Sequence, residues 1–290
     1  MHFVDVKGIL TANNGQRGMN LYRGCSHGCI YCDSRSECYH FTHAFEDIEV
    51  KQNAPELLEK ALSSMRKKCM IGTGAMCDPY LHAERELGLT RRCLEIIDRH
   101  GFGVTLLTKS DLILRDLDLL RSINEHTRCV VQMTLTTWDD GLSKILEPNV
   151  CTTRRRLEVL ETMRDAGIPT AVWLCPILPF INDTPENIEA ILDGCAKAGV
   201  QGIVCFGMGL TLREGNREYF YAALDRHFPG LKNRYIKTYG NSYNVPSPRN
   251  DELMSLFNRF CRERGIISDW REVFSWLNQF PEKEEQLSLF

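Results

Sequence analysis

The sequence contains no long apolar run. Of its 290 residues, 43% are hydrophobic and 25% are charged, and no segment approaches the roughly 18 consecutive apolar residues that a membrane-spanning helix requires. Residues 1–10 also show no basic patch followed by an apolar stretch, which is the pattern of a signal peptide. Both absences argue against membrane insertion and secretion, and we expect a cytoplasmic protein with no membrane partner.

An excess of basic charge is also absent. Lysine and arginine total 35 against 38 aspartate and glutamate, and the formal net charge is -3. Proteins that bind nucleic acid usually carry a basic domain or a basic stripe, so any contact with a polynucleotide has to be local. The run Arg154, Arg155 and Arg156 opens a predicted helix, and we expect it to form a solvated face.

Internal repeats are lacking too, and apolar strand-like runs instead alternate with amphipathic, helix-like stretches. The predicted strands are 19–23, 69–74, 103–108, 129–136, 170–177 and 202–206. The predicted helices between and after them are 53–67, 83–99, 111–125, 152–166 and 185–198. This alternation predicts an α/β fold built from βα units around a parallel sheet.

Six such units predict a partial (β/α)6 TIM-type barrel over residues 1–212. Residues 213–280 are predicted to form a C-terminal helical extension, and residues 281–290 a charged, flexible tail with an apolar end. Because active sites of such barrels lie at the carboxyl ends of the strands, the functional residues are expected there.

Cysteine is abundant, and its count is informative. Thirteen cysteines, an odd number in a chain of this length, argue against a disulfide framework and for metal or redox use of some of them. Three stand in a C-x3-C-x2-C loop directly after the first predicted strand: Cys25, Cys29 and Cys32. Closely spaced thiolates on a glycine-containing loop are typical ligands of iron–sulfur clusters.

Three protein ligands leave one iron of a [4Fe-4S] cluster free, and an open coordination position is what a catalytic metal centre needs. Gly24 and Gly28 allow the backbone to wrap around the inorganic core. The alternative is a zinc site that takes its fourth ligand from His27, Cys38 or His40.

The loop, with the aromatic Tyr31 beside the third cysteine, resembles the signature of the radical S-adenosylmethionine (SAM) superfamily. In that superfamily SAM binds the free iron, and an electron from the cluster cleaves SAM to a 5'-deoxyadenosyl radical. Further segments resemble the spore photoproduct lyase-like family, often described as DNA repair photolyases: 20–25, 78–80, 107–110, 147–149 and 176–183.

This resemblance implies a radical SAM enzyme of the radical SAM barrel fold that acts on a nucleic-acid lesion, with a flavodoxin- or ferredoxin-type protein as reductant. Two alternatives stay open. The first is a radical SAM enzyme that modifies RNA, a peptide or a small molecule. The second is a non-catalytic iron–sulfur protein that associates with a sliding clamp.

The resemblance also implies which residues contact SAM. Ile30 and Tyr31 would flank the adenine, Lys109 would meet the methionine carboxylate, and Pro176 would contribute to an apolar wall. Asp78 and Thr134 would reach the polar groups of the ribose or the methionine. The alternatives are a surface position for Lys109 and a turn or capping role for Asp78.

Cys77 is the candidate catalytic thiol, because it lies close to where spore photoproduct lyases place a hydrogen-donating cysteine. The register is not the same, since that thiol aligns nearer to Ala75. The alternative is a buried structural cysteine. A second departure is Asp33, which stands where those lyases have a tyrosine directly after the third cluster cysteine.

The end of the sequence resembles a docking peptide. Its residues match the pentapeptide by which bacterial repair and replication proteins bind the DNA sliding clamp: Gln286, Leu287, Ser288, Leu289 and Phe290. An acidic run precedes them and should keep the peptide solvated. The alternative is an apolar end that folds back on the barrel.

Overall fold

The computed structural model of the chain describes residues 1–13 and 16–281. Its strands are β1 (His2–Val4), β2 (Leu10–Asn13), β3 (Gln16–Met19), β4 (Tyr22–Arg23), β5 (Glu49–Lys51), β6 (Met70–Thr73), β7 (Gly103–Thr108), β8 (Cys129–Thr134), β9 (Thr170–Trp173), β10 (Gly202–Val204), β11 (Gly209–Thr211) and β12 (Asn244–Pro246). Its helices are α1 (Ala54–Ser64), α2 (Glu84–Leu87), α3 (Leu89–Arg99), α4 (Leu117–His126), α5 (Asp140–Leu146), α6 (Thr153–Asp165), α7 (Pro185–Lys197), α8 (Asn216–His227), α9 (Leu231–Tyr239), α10 (Asn250–Arg264) and α11 (Trp270–Leu277).

Six parallel strands form the centre of the structure, in the order β10-β9-β8-β7-β6-β3. β2 extends this sheet by pairing antiparallel to β3. All residues of β7 and β8 are buried, as expected for strands covered on both faces. The predicted partial (β/α)6 barrel is therefore confirmed.

The start of the barrel differs from the prediction over 19–23. β3 ends at Met19, and the chain then leaves the large sheet so that β4 pairs with β5 in a second sheet of order β1-β5-β4. The run predicts a single strand because Met19, Leu21 and Tyr22 are apolar, and Leu21 and Tyr22 are buried as a strand of the core would be, although β4 lies in the second sheet. The cysteine loop consequently leaves from the second sheet, beside the barrel.

Local backbone chemistry explains two further differences. Gly88 adopts a left-handed conformation with φ of 57° and divides the predicted helix over 83–99 into α2 and α3, because glycine reaches this region without steric cost. Helix α5 was not predicted. Its N-cap is Asp139, whose carboxylate accepts a hydrogen bond from the Leu142 amide at 2.6 Å, a common helix-start interaction.

The C-terminal extension packs directly on the barrel. Leu253, Phe257 and Cys261 of α10 belong to the same apolar core as the residues of α7. Val273 and Leu277 of α11 pack with Val204 of β10. β11 and β12 pair antiparallel and contribute to the cavity described below. The extension and the barrel thus share apolar cores, and the boundary at residue 212 stays a prediction.

Two further expectations from the sequence concern membrane insertion and the C-terminal peptide. Within the described residues, no helix combines the length and apolarity needed to cross a membrane. The docking-like peptide over residues 286–290 lies outside the described residues, so its binding role stays a prediction.

Candidate functional site

The cysteine loop begins at a backbone position that requires glycine. Gly24 has a φ of 85°, and a Cβ atom there would lie 2.4 Å from the Phe45 carbonyl oxygen. The Cys25 amide donates to that same carbonyl at 3.1 Å. Any side chain at Gly24 would therefore push the loop away from the segment that anchors its first cysteine.

The segment 146–149 holds the other side of the loop. The Ile30 amide donates to the Leu146 carbonyl at 3.0 Å, and Asn149 donates from its side chain to the Ser26 carbonyl at 2.9 Å. Gly28, with a φ of 71°, packs against this segment so closely that a Cβ would lie 3.1 Å from the Asn149 amide nitrogen. The loop is thus fixed from two directions.

The three loop thiols fit a polynuclear cluster better than a single ion. Among the described residues, the sulfurs of Cys25, Cys29 and Cys32 do not all come within 4.8 Å of one another. A tetrahedral zinc ion, with Zn–S bonds of about 2.3 Å, would hold its sulfurs about 3.8 Å apart. A cuboidal cluster spaces them more widely because each thiolate bonds a different iron. The donor set therefore fits an iron–sulfur cluster.

The three loop thiols differ in acidity, because contacts with Cys77 and His27 hold the pKa of Cys25 well below its ordinary value. Burial raises the pKa of both Cys29 and Cys32, so these two thiols stay protonated in the absence of a metal centre. Cluster binding must displace those protons, as metal binding by thiols generally does.

A buried ion pair lies directly behind the loop. Arg156 is fully buried, and its Nη2 lies 2.6 Å from Oε2 of the buried Glu147. The Tyr31 hydroxyl donates to the other oxygen of Glu147. Arg156 also donates to the carbonyls of Cys151 and Thr134, at 2.9 Å each. This network joins the loop to the end of β8.

The expectation that the whole run 154–156 forms a solvated face is wrong for Arg156. Arg154 and Arg155 have side chains that are 62% and 42% exposed, whereas the Arg156 side chain is completely buried. Helical geometry places residue 156 on the inner side of α6, and the buried Glu147 carboxylate supplies the counter-charge that an interior arginine needs.

A cavity of about 750 Å³ opens at the carboxyl ends of the strands, beside Cys32. Four of the residues predicted to contact SAM line it: Tyr31, Lys109, Thr134 and Pro176. Gly207 and Gly209, which follow β10, and Asn244 and Pro246 from the extension also line it. The location is the expected one for an active site in a barrel of this type.

Lys109 presents its ammonium group to the cavity. Across the residues that the structure describes, its Nζ makes neither a hydrogen bond nor an ion pair, and it lies 6.0 Å from the centre of the Tyr31 ring. Burial would lower the pKa of Lys109, but the negative charges of Cys29, once it is ionised, and of Glu147 outweigh burial and raise that pKa to about 12. The lysine stays charged and can pair with an anionic group in the cavity.

The carboxylate of Asp78 is occupied by hydrogen bonds from other groups of the protein. Its carboxylate accepts hydrogen bonds from the Tyr80 amide, the Thr108 hydroxyl and the Lys109 amide, all at 2.7–2.8 Å. These bonds tie the segment after β6 to the end of β7. Asp78 is not among the residues that line the cavity, and the geometry favours the turn role over contact with SAM.

Ile30 and Cys77 also lie behind the cavity wall. Ile30 packs in an apolar cluster with Leu146 and Leu178. The Cys77 sulfur lies 2.7 Å from the Gly24 carbonyl oxygen, where it supports the start of the cysteine loop. Within the described residues, the thiols that do line the cavity are the predicted cluster ligand Cys32 and Cys175, and the sequence analysis does not single out Cys175.

Asp33 links the loop to the extension. Its carboxylate accepts a hydrogen bond from the Thr211 hydroxyl at 3.3 Å and another from the Tyr39 hydroxyl at 3.2 Å. Arg213 lies 3.4 Å from the same carboxylate. The residue that follows the third cysteine therefore holds β11 against the cavity.

Comparison with known proteins decides the family. Residues 19–192 match the model of the radical SAM superfamily. The chain belongs to the radical SAM superfamily. It is 31% identical to an uncharacterized protein of Mycobacterium tuberculosis over 266 residues, which is 87% of this chain and 76% of that protein. An uncharacterized protein of Methanocaldococcus jannaschii is 31% identical over 57% of this chain and 61% of its own length.

Solved structures support the fold of this radical SAM protein. Spore photoproduct lyase complexed with dinucleoside spore photoproduct is 13% identical, has a TM-score of 0.65, and covers 92% of this chain and 80% of its own. The radical SAM methyltransferase TsrM from Kitasatospora setae is 14% identical and has a TM-score of 0.54. The match covers 85% of this chain and 52% of the methyltransferase chain.

Membership of the superfamily makes the chain an enzyme and implies SAM and an iron–sulfur cluster as its cofactors. The expected resemblance to the spore photoproduct lyase-like branch is confirmed at the level of the fold.

The buried ion pair yields a stability prediction for this radical SAM enzyme. Arg156→Met should lower the free energy of unfolding by about 3 to 5 kcal/mol, because it leaves the Glu147 carboxylate buried without a partner. Adding Glu147→Leu should recover most of that loss. Urea unfolding of the single and double variants measures both effects.

Arg154→Met is the matched control. Arg154 is exposed and lies 3.5 Å from Asp140, so its replacement should cost less than about 1 kcal/mol. An equal effect of the Arg154 and Arg156 substitutions would contradict the assigned role of the buried pair.

Proposed function

We propose that Cys25, Cys29 and Cys32 hold a [4Fe-4S] cluster, that SAM binds its fourth iron, and that the enzyme acts on a nucleic-acid lesion. The observation that carries the proposal is the position of the fixed three-cysteine loop beside a cavity of about 750 Å³. When bound, the cluster and SAM supply a 5'-deoxyadenosyl radical, with the electron coming from a flavodoxin- or ferredoxin-type donor.

The chain's own residues would bind and orient SAM. The ammonium of Lys109, which has no hydrogen-bond or ion-pair partner in the described part of the chain, would pair with the methionine carboxylate, which would otherwise lose its solvation without compensation. Tyr31 and Pro176 would provide the apolar wall for the adenine, and Thr134 would supply a hydroxyl at the end of β8. Asp78 would act as a positioning residue, since its bond to the Lys109 amide fixes the backbone from which that lysine extends.

Cys77 is better explained as a positioning residue than as a hydrogen donor. Its sulfur contacts the Gly24 carbonyl oxygen rather than the cavity. A thiol that quenches a substrate radical has to reach the substrate, and Cys77 lies behind the loop. We therefore assign Cys77 to support of the first cluster cysteine.

The nucleic-acid substrate is supported by the likeness in fold to spore photoproduct lyase. A small aromatic substrate is the second candidate, since the similar methyltransferase structure holds tryptophan. RNA or a peptide would also be compatible with the radical chemistry. The non-catalytic reading is set aside because membership of the superfamily makes the chain an enzyme.

A product assay tests the substrate. The anaerobically reconstituted enzyme, with SAM and dithionite, is incubated separately with ultraviolet-damaged DNA, undamaged DNA and bulk RNA. The proposal expects SAM-dependent loss of a lesion in damaged DNA. SAM cleavage with no change in damaged DNA would reject the lesion substrate while retaining the radical enzyme.

The cluster assignment predicts the effect of removing single ligands. Alanine at Cys25, Cys29 or Cys32 should abolish both iron binding and SAM cleavage, because two thiolates do not hold the cuboidal core. Alanine at Cys38 or Cys69 should change neither. Iron analysis and 5'-deoxyadenosine assays provide the measurements, and full retention of both properties in Cys29→Ala would reject the assignment.

Lys109→Ala should keep iron and weaken SAM binding by about 1 to 3 kcal/mol, because a desolvated carboxylate loses a charged hydrogen-bond donor. Equilibrium dialysis of SAM against the reconstituted protein measures this change. Lys144→Ala, at an exposed lysine of α5, is the control and should leave SAM affinity unchanged. Equal SAM affinity in both variants would remove Lys109 from the site.

The sliding clamp is proposed as a partner on sequence grounds alone. In residues 286–290, Leu287, Leu289 and Phe290 offer apolar anchors, and such anchors carry most of the affinity of a short docking peptide. They would bring the enzyme to DNA without requiring a basic surface.

Deleting residues 286–290 should therefore abolish binding to a bacterial sliding clamp and leave SAM cleavage intact. Titration of the purified clamp measures the binding. A synthetic peptide of these residues should compete for the clamp, and a scrambled peptide should not. Loss of several degrees in melting temperature on truncation, or no clamp binding by the intact protein, would instead favour an end that folds back on the barrel.

A further inference from the structure

A cluster of four aromatic rings stands at the open side of the barrel. Phe206 follows β10, and its ring lies 5.9 Å from Trp173, 5.7 Å from Trp270 and 6.2 Å from Phe274, centre to centre. Phe206 is 56% exposed even though three aromatic side chains adjoin it. We call these four residues the aromatic rim.

The ring of Phe206 is held firmly from behind. Trp173 donates from its indole nitrogen to Gln132 at 2.8 Å, and Phe274 packs edge-on against Trp173 at 5.8 Å. After Phe206, the Met208 amide donates to the Asn250 side chain at 3.0 Å. A large apolar ring that is fixed by its neighbours and still exposed on one side is a preformed contact surface.

The aromatic rim is continuous with the cavity, because Trp173 and Phe206 line both. Only two charged side chains line that cavity within residues 1–13 and 16–281, namely Lys109 and Asp33. Lys109 is assigned to SAM, and Asp33 is bonded to Thr211 and Tyr39. The part of a substrate that enters past the rim is therefore expected to be flat and uncharged.

We propose that Phe206 is the stacking platform for an unpaired base of the nucleic-acid substrate, a specificity-determining role that rests on the proposed function. Aromatic side chains bind splayed-out bases by stacking, and neutral amides such as those of Asn244 and Asn250 lie at the same cavity. Arg271, whose guanidinium lies 4.4 Å from the Trp270 ring centre, supplies a cation outside the cavity. Within the described residues it makes no ion pair, so it is available to a phosphate.

The experiment compares two fluorescein-labelled oligonucleotides by anisotropy with the full-length reconstituted enzyme. One is single-stranded DNA of about 12 nucleotides, a length within the usual span of single-strand sites. The other has the same length but abasic sugars throughout. The wild type should bind the base-containing strand about 10-fold more tightly than the abasic one.

Phe206→Ala should weaken binding of the base-containing strand about 10-fold and leave the abasic strand unchanged. Phe206→Trp should restore binding, whereas Phe206→Leu, which keeps an apolar side chain without a ring, should not. Phe3→Ala is the matched control, because Phe3 is 52% exposed on β1 and does not line the cavity. Iron content and melting temperature verify that each variant is folded and loaded.

Each result has a distinct meaning. Equal binding by wild type and Phe206→Ala, an equal loss for both strands, or full rescue by leucine would overturn the stacking platform but leave the nucleic-acid substrate standing. Phe206-dependent binding of a labelled apolar peptide, with no binding of either oligonucleotide, would overturn the platform and the proposed substrate together. SAM cleavage would persist in that case, which separates it from failure of the radical enzyme.

Discussion

The buried pair between Glu147 and Arg156 is the interaction on which the site depends. Removing two charges from water is costly unless every remaining donor and acceptor is satisfied. Here the Tyr31 hydroxyl donates to the carboxylate and two backbone carbonyls accept from the guanidinium, which offsets part of that cost, while Arg156 Nη2 faces Glu147 as an ion pair without a hydrogen bond. The same carboxylate raises the pKa of Lys109, so a single buried anion both braces the cysteine loop and keeps the lysine at the cavity charged.

Around this pair, several parts of the chain combine to position one short loop. The β1-β5-β4 sheet delivers the first cysteine, and the segment 146–149 after α5 holds the loop's other flank. Asp33 then connects the end of the loop to β11. Arg213, at the start of the extension, contacts the same carboxylate, and Asn244, Pro246 and Asn250 line the cavity, so the extension is part of the site's architecture.

The cavity offers one kind of contact to a charged group and another to a neutral, flat group. Lys109 lies near the cysteine loop, where an amino acid carboxylate would need a counter-charge. Trp173 and Phe206 of the aromatic rim line the same cavity and offer rings, and Asn244 and Asn250 offer amides. A cofactor with charged ends and a substrate portion with a flat neutral surface would each meet matching chemistry, and this division follows from which strand ends carry which residues.

The sequence by itself determined the features that depend on neighbouring residues along the chain. The cysteine spacing, the alternation of strands and helices, and the end of β7 just before Lys109 are local patterns, and the fold bears out the barrel they predict. Only the tertiary structure decided which side chains meet across the chain. Tyr31 and Glu147 are 116 positions apart, and neither one predicts its partner. In the sequence Arg156 is indistinguishable from its exposed neighbours, and it is buried only because α6 packs against the barrel. Cys77 and Asp78 follow a strand as expected, yet their contacts with Gly24 and Lys109 turn them away from the cavity. The physical reason is that burial and charge pairing are properties of the packed molecule, whereas spacing and hydrophobic period are properties of the chain.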